Sequence, residues 1–79
     1  MAILRLFASA REAAGRGSDT FEAATVGDLL HQASERYGSE FVTVLGTCRV
    51  WLNGESTEAD ATLAPTDEVA VLPPVSGGL

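Results

Sequence analysis

Several short segments of the chain alternate hydrophobic and polar positions with the period of a β-strand. In the first of them, Ala2–Phe7, Leu4 and Leu6 fall on one face and Phe7 falls on the other. Asn53-Gly54 is a strong signal for a tight hairpin, because both turn positions need a positive φ. The pattern predicts four further strands, at Asp19–Ala24, Cys48–Leu52, Glu55–Thr57 and Glu68–Leu72.

The residues between the second and third strands follow a helical period instead. Apolar side chains recur three or four positions apart from Val26 to Tyr37, which produces one apolar stripe. Thr25 is a good N-cap with Asp28 three residues further on, and Gly38 stands where a C-terminal cap belongs. We therefore predict a helix from Val26 to Tyr37 whose stripe packs on a sheet.

The remaining segments connect these elements. Ala8–Ala14 is rich in Ala and predicts a short helix, Ser39–Thr47 is predicted as a connection with apolar anchors, and Leu63–Asp67 as a turn. One amphipathic helix and one mixed sheet must pack together, with the first and last strands side by side in the sheet centre. This predicts an α+β fold of the β-grasp (ubiquitin-like) type, with four or five strands on one main helix. We assign residues 1–74 to this domain and 75–79 to a flexible tail.

Length and charge narrow the possible functions. The 79 residues allow one domain with a modest core, so we expect function on a surface, a loop or a terminus. The net charge is −6 and the five basic residues are all Arg, which predicts no nucleic-acid binding and favours a basic protein partner. The sequence shows neither an apolar run of about 20 residues nor a signal-peptide pattern, which predicts a cytoplasmic protein that does not bind a membrane.

Few side chains suggest chemistry. Cys48 is the only cysteine, so it forms no internal disulfide, and we expect a small buried hydrophobic residue rather than a reactive thiol. His31, the only histidine, lies off the apolar stripe and has no Ser, Cys or Asp at a catalytic spacing. We therefore predict no metal site and no enzyme activity in the chain itself.

The C-terminal residues suggest a function by their composition. Pro74 stiffens the exit of the tail, and the five residues after it can extend roughly 17 Å. Gly77 and Gly78 have no Cβ, so their backbone can enter a channel too narrow for a side chain. Such a tail can present a carboxylate inside another protein's active site, although Gly- and Ser-containing ends are also commonly frayed.

Four segments resemble the small subunit of molybdopterin synthase, a ubiquitin-like sulfur carrier. Together they span nearly the whole chain in the family order. The ending Pro-Pro-Val-Ser-Gly-Gly is the most specific part, since a terminal Gly-Gly alone would be weak. The segments are 7–12 (FASARE) with Gly15, 25–30 (TVGDLL), 50–55 (VWLNGE) and 67–78 (DEVAVLPPVSGG).

The resemblance implies a mechanism in which this chain binds no cofactor. A ubiquitin-activating-like adenylyltransferase would use ATP to adenylate the carboxyl of Gly78, and a sulfur donor would convert it to a thiocarboxylate. The large molybdopterin synthase subunit would supply the catalytic groups and pass the sulfur to a pterin precursor. It would bind the tail along Gly77, Ser76, Val75 and Pro74.

The chain departs from the family pattern at two positions. The family usually has Gly before Asp-Glu-Val, where this chain has Thr66, so the turn must differ if that position needs a positive φ. The family's carriers normally end at Gly-Gly, whereas here Leu79 follows and blocks the carboxyl of Gly78. We expect a protease to remove Leu79; a cloning remnant, or a chain that is not a carrier, are the alternatives.

The strand alternation also predicts a docking surface. If Leu4, Leu6 and Val50 pack on the helix, Phe7 and Trp51 point away from it. Exposed aromatic side chains on a sheet face are candidates for interface anchors. The alternative is that a loop partly covers Trp51.

Other functions stay open on the sequence. The same tail would suit a sulfur carrier for cysteine or thiamine synthesis, or a protein modifier joined through Gly78 to lysines of its targets. A non-covalent binding module with an inert tail is a further alternative. Isopeptide-linked adducts would identify a modifier, and activity that survives the loss of Gly77 and Gly78 would identify a binding module.

Overall fold

The computed structural model describes residues 1–74, so the predicted tail, 75–79, lies outside the described residues. Every predicted strand is present, with ends that differ by a few residues, and the two predicted helices have the predicted bounds. No helix in this part of the chain is long and apolar enough to cross a membrane. In chain order the elements are β1 (Ala2–Leu6), α1 (Ala8–Ala14), β2 (Ser18–Phe21), α2 (Val26–Tyr37), α3 (Ser39–Leu45), β3 (Arg49–Leu52), β4 (Glu55–Ser56) and β5 (Glu68–Leu72).

The five strands form one mixed sheet in the order β2-β1-β5-β3-β4. β1 and β5 run parallel and adjacent, as predicted, while the other neighbouring pairs are antiparallel. Their register aligns Leu4 with Val69 and Leu6 with Val71, and all four side chains are buried. The apolar halves of the two strands therefore form one continuous inner face, and the β-grasp prediction is confirmed.

Helix α2 packs on this inner face and has the caps that the sequence predicts. The hydroxyl oxygen of Thr25 accepts a hydrogen bond from the backbone N–H of Asp28 at 3.1 Å. At the other end, the N–H of Gly38 donates to the Ser34 carbonyl at 3.0 Å, and Gly38 has a φ of 99° that a residue with a Cβ rarely adopts. Leu29 in its apolar stripe is fully buried, so the stripe joins the core of the sheet.

The prediction that Ser39–Thr47 is an irregular connection is wrong, because Ser39–Leu45 forms the helix α3. The segment lacks a side-chain N-cap and contains three successive β-branched residues, which weaken helix propensity. Tertiary packing outweighs this: Phe41 is fully buried, and its ring meets that of Tyr37 edge to face at 5.1 Å. The helix therefore depends on its anchor in the core.

A polar cluster joins β2 to α2 through one carboxylate. The Asp19 side chain, only 11% exposed, accepts hydrogen bonds from Tyr37 at 2.7 Å, Arg16 at 2.9 Å and Arg36 at 3.0 Å. Burial acts to raise the pKa of Asp19, but the hydrogen bonds from Tyr37, Arg16 and Arg36 outweigh it and hold the pKa well below the usual range. The ionised carboxylate is therefore part of the folded structure.

We expect Asp19→Asn to lower the free energy of unfolding by about 1–3 kcal/mol at pH 7, because it weakens three hydrogen bonds to a nearly buried group. Because the pKa of Asp19 is lower in the folded state than in the unfolded state, the ionised carboxylate stabilises the fold at pH values above the unfolded pKa of about 3.9. This stabilisation is lost as the pH falls toward the folded-state pKa. Urea denaturation of both proteins at several pH values should show their difference narrowing below about pH 4. Exposed Glu35 provides the matched control Glu35→Gln. A difference between the Asp19 variant and wild type that is the same at pH 3 and pH 7 would contradict this account.

Two turns shape the end of the sheet that carries β3 and β5. Asn53 and Gly54 have φ values of 51° and 85°, which confirms the predicted hairpin. Thr66 does not have a positive φ, so this turn needs no glycine. The Asp67 carboxylate instead accepts the N–H of Ala64 at 2.8 Å and the side-chain amide of Asn53 at 3.0 Å, and these bonds lower the pKa of Asp67.

Candidate functional site

The face of the sheet turned away from α2 carries Phe7 and Trp51, the side chains predicted from the sequence to anchor a partner. The registers of β1, β5 and β3 place Arg5, Ala70 and Trp51 in one row across the three strands. Residues two positions before or after this row on the same strands also face outward, because side chains alternate along a strand. We call this surface the outer face; its members are Ile3, Arg5, Phe7, Arg49, Trp51, Glu68, Ala70 and Leu72.

A shallow apolar depression lies in the middle of the outer face. Its lining residues are Phe7, Trp51, Gly54, Glu68, Ala70 and Leu72. Because Ala70 carries only a methyl group on the central strand, we take it as the floor between the larger apolar side chains. Phe7 is 43% exposed, and Trp51 is half-buried. The structure thus brings together the two aromatic residues that the sequence singled out. We call this feature the Ala70 depression.

Phe7 lies on the outer face because it continues the alternation of β1, and the chain turns directly after it. Phe7 itself is extended, with a φ of −130°, and the next residue, Ala8, has a φ of 51°. The left-handed conformation is costly for a residue with a Cβ. The positive φ at Ala8 therefore redirects the chain into α1 directly after Phe7.

The last described residues leave the domain at the edge of the outer face. A second depression is lined by Arg49, Trp51, Leu72, Pro73 and Pro74, and it shares Trp51 and Leu72 with the Ala70 depression. Pro74 is exposed. The predicted site residues Val75, Ser76, Gly77 and Gly78 lie outside the described residues. The segment that leads to them therefore starts beside Trp51.

The charges on the outer face are unevenly compensated. Arg5 forms an ion pair with Glu68 across β1 and β5. Arg49 is exposed and forms no ion pair with any residue from 1 to 74.

The sequence predicted Phe7 and Trp51 at this surface but not Ala70, Leu72 or Arg49. The alternation within the segment EVAVL does indicate that Glu68, Ala70 and Leu72 share one face of β5.

The two residues considered for chemistry lie away from any catalytic arrangement. Cys48 is half-buried rather than fully buried, so the prediction is correct only in that its side chain packs against the core. His31 is 72% exposed, and its Nε2 lies 3.7 Å from a carboxylate oxygen of Glu35. Within residues 1–74, no three His, Cys, Asp or Glu side chains are grouped so as to hold a metal ion.

We expect the Cys48 thiol to react slowly. Burial raises its pKa, although a hydrogen bond with Thr47 acts in the opposite direction, so less of the thiolate forms at pH 8 than in a free cysteine. Alkylation by iodoacetamide should be about threefold or more slower than that of an unstructured cysteine peptide. The same protein in urea should match the peptide. Equal rates for the folded protein and the peptide would show that burial does not protect the thiol.

The fold and the outer face define a small ubiquitin-like protein in which Pro73 and Pro74 leave the domain beside a partly apolar surface. The chain belongs to the ThiS family, whose profile matches residues 4–78. This places it among the small ubiquitin-like sulfur carriers and the modifiers related to them. A search of curated proteins found no match.

Solved structures agree with this assignment. Small archaeal modifier protein 1 from Haloferax volcanii is 33% identical, with a TM-score of 0.80 and 98% of each chain covered. A putative molybdopterin converting factor subunit 1 from Pyrococcus furiosus is 26% identical, with a TM-score of 0.84 over 94% of this chain and 97% of that one. Subunit 1 of the molybdopterin-converting factor from Helicobacter pylori, solved with subunit 2, shares the fold at 23% identity, with a TM-score of 0.75 over 98% and 97% of the two chains.

Proposed function

We propose that this chain is a sulfur carrier for molybdopterin synthesis whose Gly78 carries the sulfur as a thiocarboxylate. The observation that carries the proposal is the position of Pro73 and Pro74, which leave the domain at the edge of the outer face, beside Trp51. A protein that covers this face meets the start of the tail at the same time. Docking and insertion of the tail are therefore one binding event.

The chemistry requires the carboxyl group of Gly78 to be free, so Leu79 is removed first. A carboxylate resists nucleophilic attack because of its charge. Transfer of AMP from ATP to the carboxylate releases pyrophosphate and gives an acyl adenylate. A sulfide-level sulfur nucleophile then attacks the carbonyl carbon and AMP leaves, which produces the thiocarboxylate. An adenylyltransferase and the large molybdopterin synthase subunit supply the catalytic groups, and this chain supplies the reactive end and the docking face.

The names of two similar proteins support the molybdopterin route. The relatives from Pyrococcus furiosus and Helicobacter pylori are both named as subunit 1 of a molybdopterin converting factor. The Helicobacter pylori protein was solved as a complex with subunit 2. We therefore take the large subunit of molybdopterin synthase as the first partner to test.

We expect Trp51→Ala to weaken binding to the large synthase subunit about 30-fold, a loss of roughly 2 kcal/mol that is typical of an aromatic anchor. Phe7→Ala should have an effect of the same order, because Phe7 lines the same depression. Titration calorimetry with the purified large subunit from the same host measures both. Val42 on α3 is 48% exposed and provides the control Val42→Ala, which should bind like wild type. Unchanged binding of the two aromatic variants would remove the outer face from the interface.

The proposal is tested by the intact mass of the protein, purified from its own host without a C-terminal tag under non-reducing, thiol-protecting conditions. Loss of Leu79 with sulfur in place of one oxygen is the expected result. A mass that still includes Leu79 and gains no sulfur, even with activating enzyme, ATP and sulfur donor present, would refute sulfur carriage.

A second candidate is a protein modifier joined through Gly78 to lysines of other proteins. The 33% identity to small archaeal modifier protein 1 favours it. Arg49 is the last basic residue, so trypsin digestion of a conjugate would leave residues 50–78 attached to the target lysine. Peptides with this remnant in the host would establish conjugation. Their absence, together with a thiocarboxylate on the free protein, would support the sulfur carrier.

A further inference from the structure

We propose that the partner protein of the outer face carries two matched features, an apolar side chain that fills the Ala70 depression and a carboxylate that pairs with Arg49. The inference rests on the proposed function in one respect, namely that a partner protein binds the outer face together with the tail. It goes further because it states the chemistry of that partner's surface.

The shape of the outer face supports the first feature. Ala70 lies on the central strand β5, with Arg5 and Trp51 opposite it on the neighbouring strands. Its side chain is a single methyl group, whereas Phe7 and Trp51 beside it carry aromatic rings. The surface is therefore concave at Ala70. A flat partner would leave this space unfilled, while an aliphatic or aromatic side chain placed there would bury its own surface and that of the walls.

The charges support the second feature. Glu68 already neutralises Arg5, whereas Arg49 has no acidic partner within residues 1–74. Arg49 lines one depression together with Trp51 and Pro73, the first proline of the tail exit. The planar array of donors on an arginine side chain suits a carboxylate better than a single acceptor. An acidic side chain at this corner of the partner would therefore complement the outer face.

An ion pair at Arg49 would help the chain to distinguish its partner from other proteins. The net charge of the chain is −6, which favours a basic partner surface in general. A carboxylate opposite Arg49 is a local exception to that rule, and a uniformly basic protein would place a like charge there. The corner at Arg49 thus discriminates between partners at the point where the tail enters. Arg49 acts as a specificity-determining residue and does not take part in the sulfur chemistry.

The test uses the full chain and the purified large molybdopterin synthase subunit of the same host, with affinities measured by titration calorimetry. Arg49→Glu should weaken binding about 10- to 100-fold, and Ala70→Phe, which fills the depression from within, about tenfold or more. Arg11→Glu on α1 is the matched control, because Arg11 is also exposed, forms no ion pair with residues 1–74 and undergoes the same charge change. It should change affinity less than about threefold.

Each outcome decides the proposal. Equal losses for Arg49→Glu and Arg11→Glu would show that only net charge matters, and wild-type affinity for Ala70→Phe would show that nothing enters the depression. Either result overturns this inference and leaves the proposed function intact. Failure of the wild-type sequence to bind the large subunit, both with Leu79 present and as a chain that ends at Gly78, overturns both. An Asp or Glu of the large subunit whose change to Arg restores binding of Arg49→Glu would identify the carboxylate.

Folding of the variants is checked independently. Ala70 and Arg49 both point away from the core, so the urea midpoints of their variants should stay close to that of wild type. If the urea midpoint of Ala70→Phe is lower than that of wild type, its loss of affinity could result from a destabilised fold. The decision would then rest on the comparison of Arg49→Glu with Arg11→Glu.

Discussion

Removal of Gly77, Gly78 and Leu79 is expected to abolish sulfur transfer and to leave the folded domain unchanged. The truncated chain ends at Ser76, so its carboxyl group lies two residues, or roughly 7 Å, short of the reacting position. A misplacement of about 1 Å can already cost 100-fold in rate, so transfer should fall to background. The readouts are thiocarboxylate formation by mass spectrometry and pterin product formed with the partner proteins.

The controls separate chemistry from docking. The truncated protein retains β5 and Pro74, so its urea midpoint should equal that of the longer chain, and its outer face is unaltered. A chain that ends at Gly78 should be active without a protease. Activity of the truncated protein equal to that of this shortened carrier would refute sulfur carriage and would support a non-covalent binding module.

The second large effect concerns stability. Phe41→Ala is expected to lower the free energy of unfolding by about 3–5 kcal/mol, because it removes a fully buried ring and leaves a cavity. A domain of this size has a total stability of about 4–12 kcal/mol, so the variant should be near its unfolding threshold. The ring also contacts Tyr37 at the end of α2, so its loss disturbs two helices. Urea denaturation followed by circular dichroism measures the difference.

A neighbouring residue supplies the control for this prediction. Val42 is next in the chain, belongs to the same helix and is 48% exposed, so Val42→Ala should change stability by less than about 0.5 kcal/mol. Phe41→Leu keeps most of the volume and should cost about 1–1.5 kcal/mol, which provides a measurable variant if Phe41→Ala does not fold. Equal stabilities of the Phe41→Ala and Val42→Ala proteins would mean that α3 is not anchored in the core.

Local periodicity was sufficient to predict most of the fold. The helical spacing from Val26 to Tyr37, together with Thr25 and Gly38 at its ends, gave the bounds of α2 because caps and stripe depend on residues close in sequence. Asn53-Gly54 identified its hairpin for the same reason. Ser39–Leu45 could not be predicted in this way, since its helix is held by the contact of Phe41 with the core and not by local propensity.

The candidate site was predicted only in part. The period of two along a strand placed Phe7 and Trp51 on the side away from the helix, and the structure agrees. The alternation along a single strand contains no information about which residues of different strands are neighbours. The row that joins Trp51 to Ala70 and Arg5 depends on the register between strands distant in sequence, and so does the uncompensated charge of Arg49.

The sequence by itself determined the elements, the β-grasp class and the resemblance to a sulfur carrier with its Gly-Gly tail, because each of these depends on short-range pattern. Only the tertiary structure decided that Pro73 and Pro74 leave beside Trp51 and that Ala70 forms the floor of a depression. Those relations arise when the parallel pairing of β1 with β5 and the antiparallel pairing of β5 with β3 bring distant segments within contact distance.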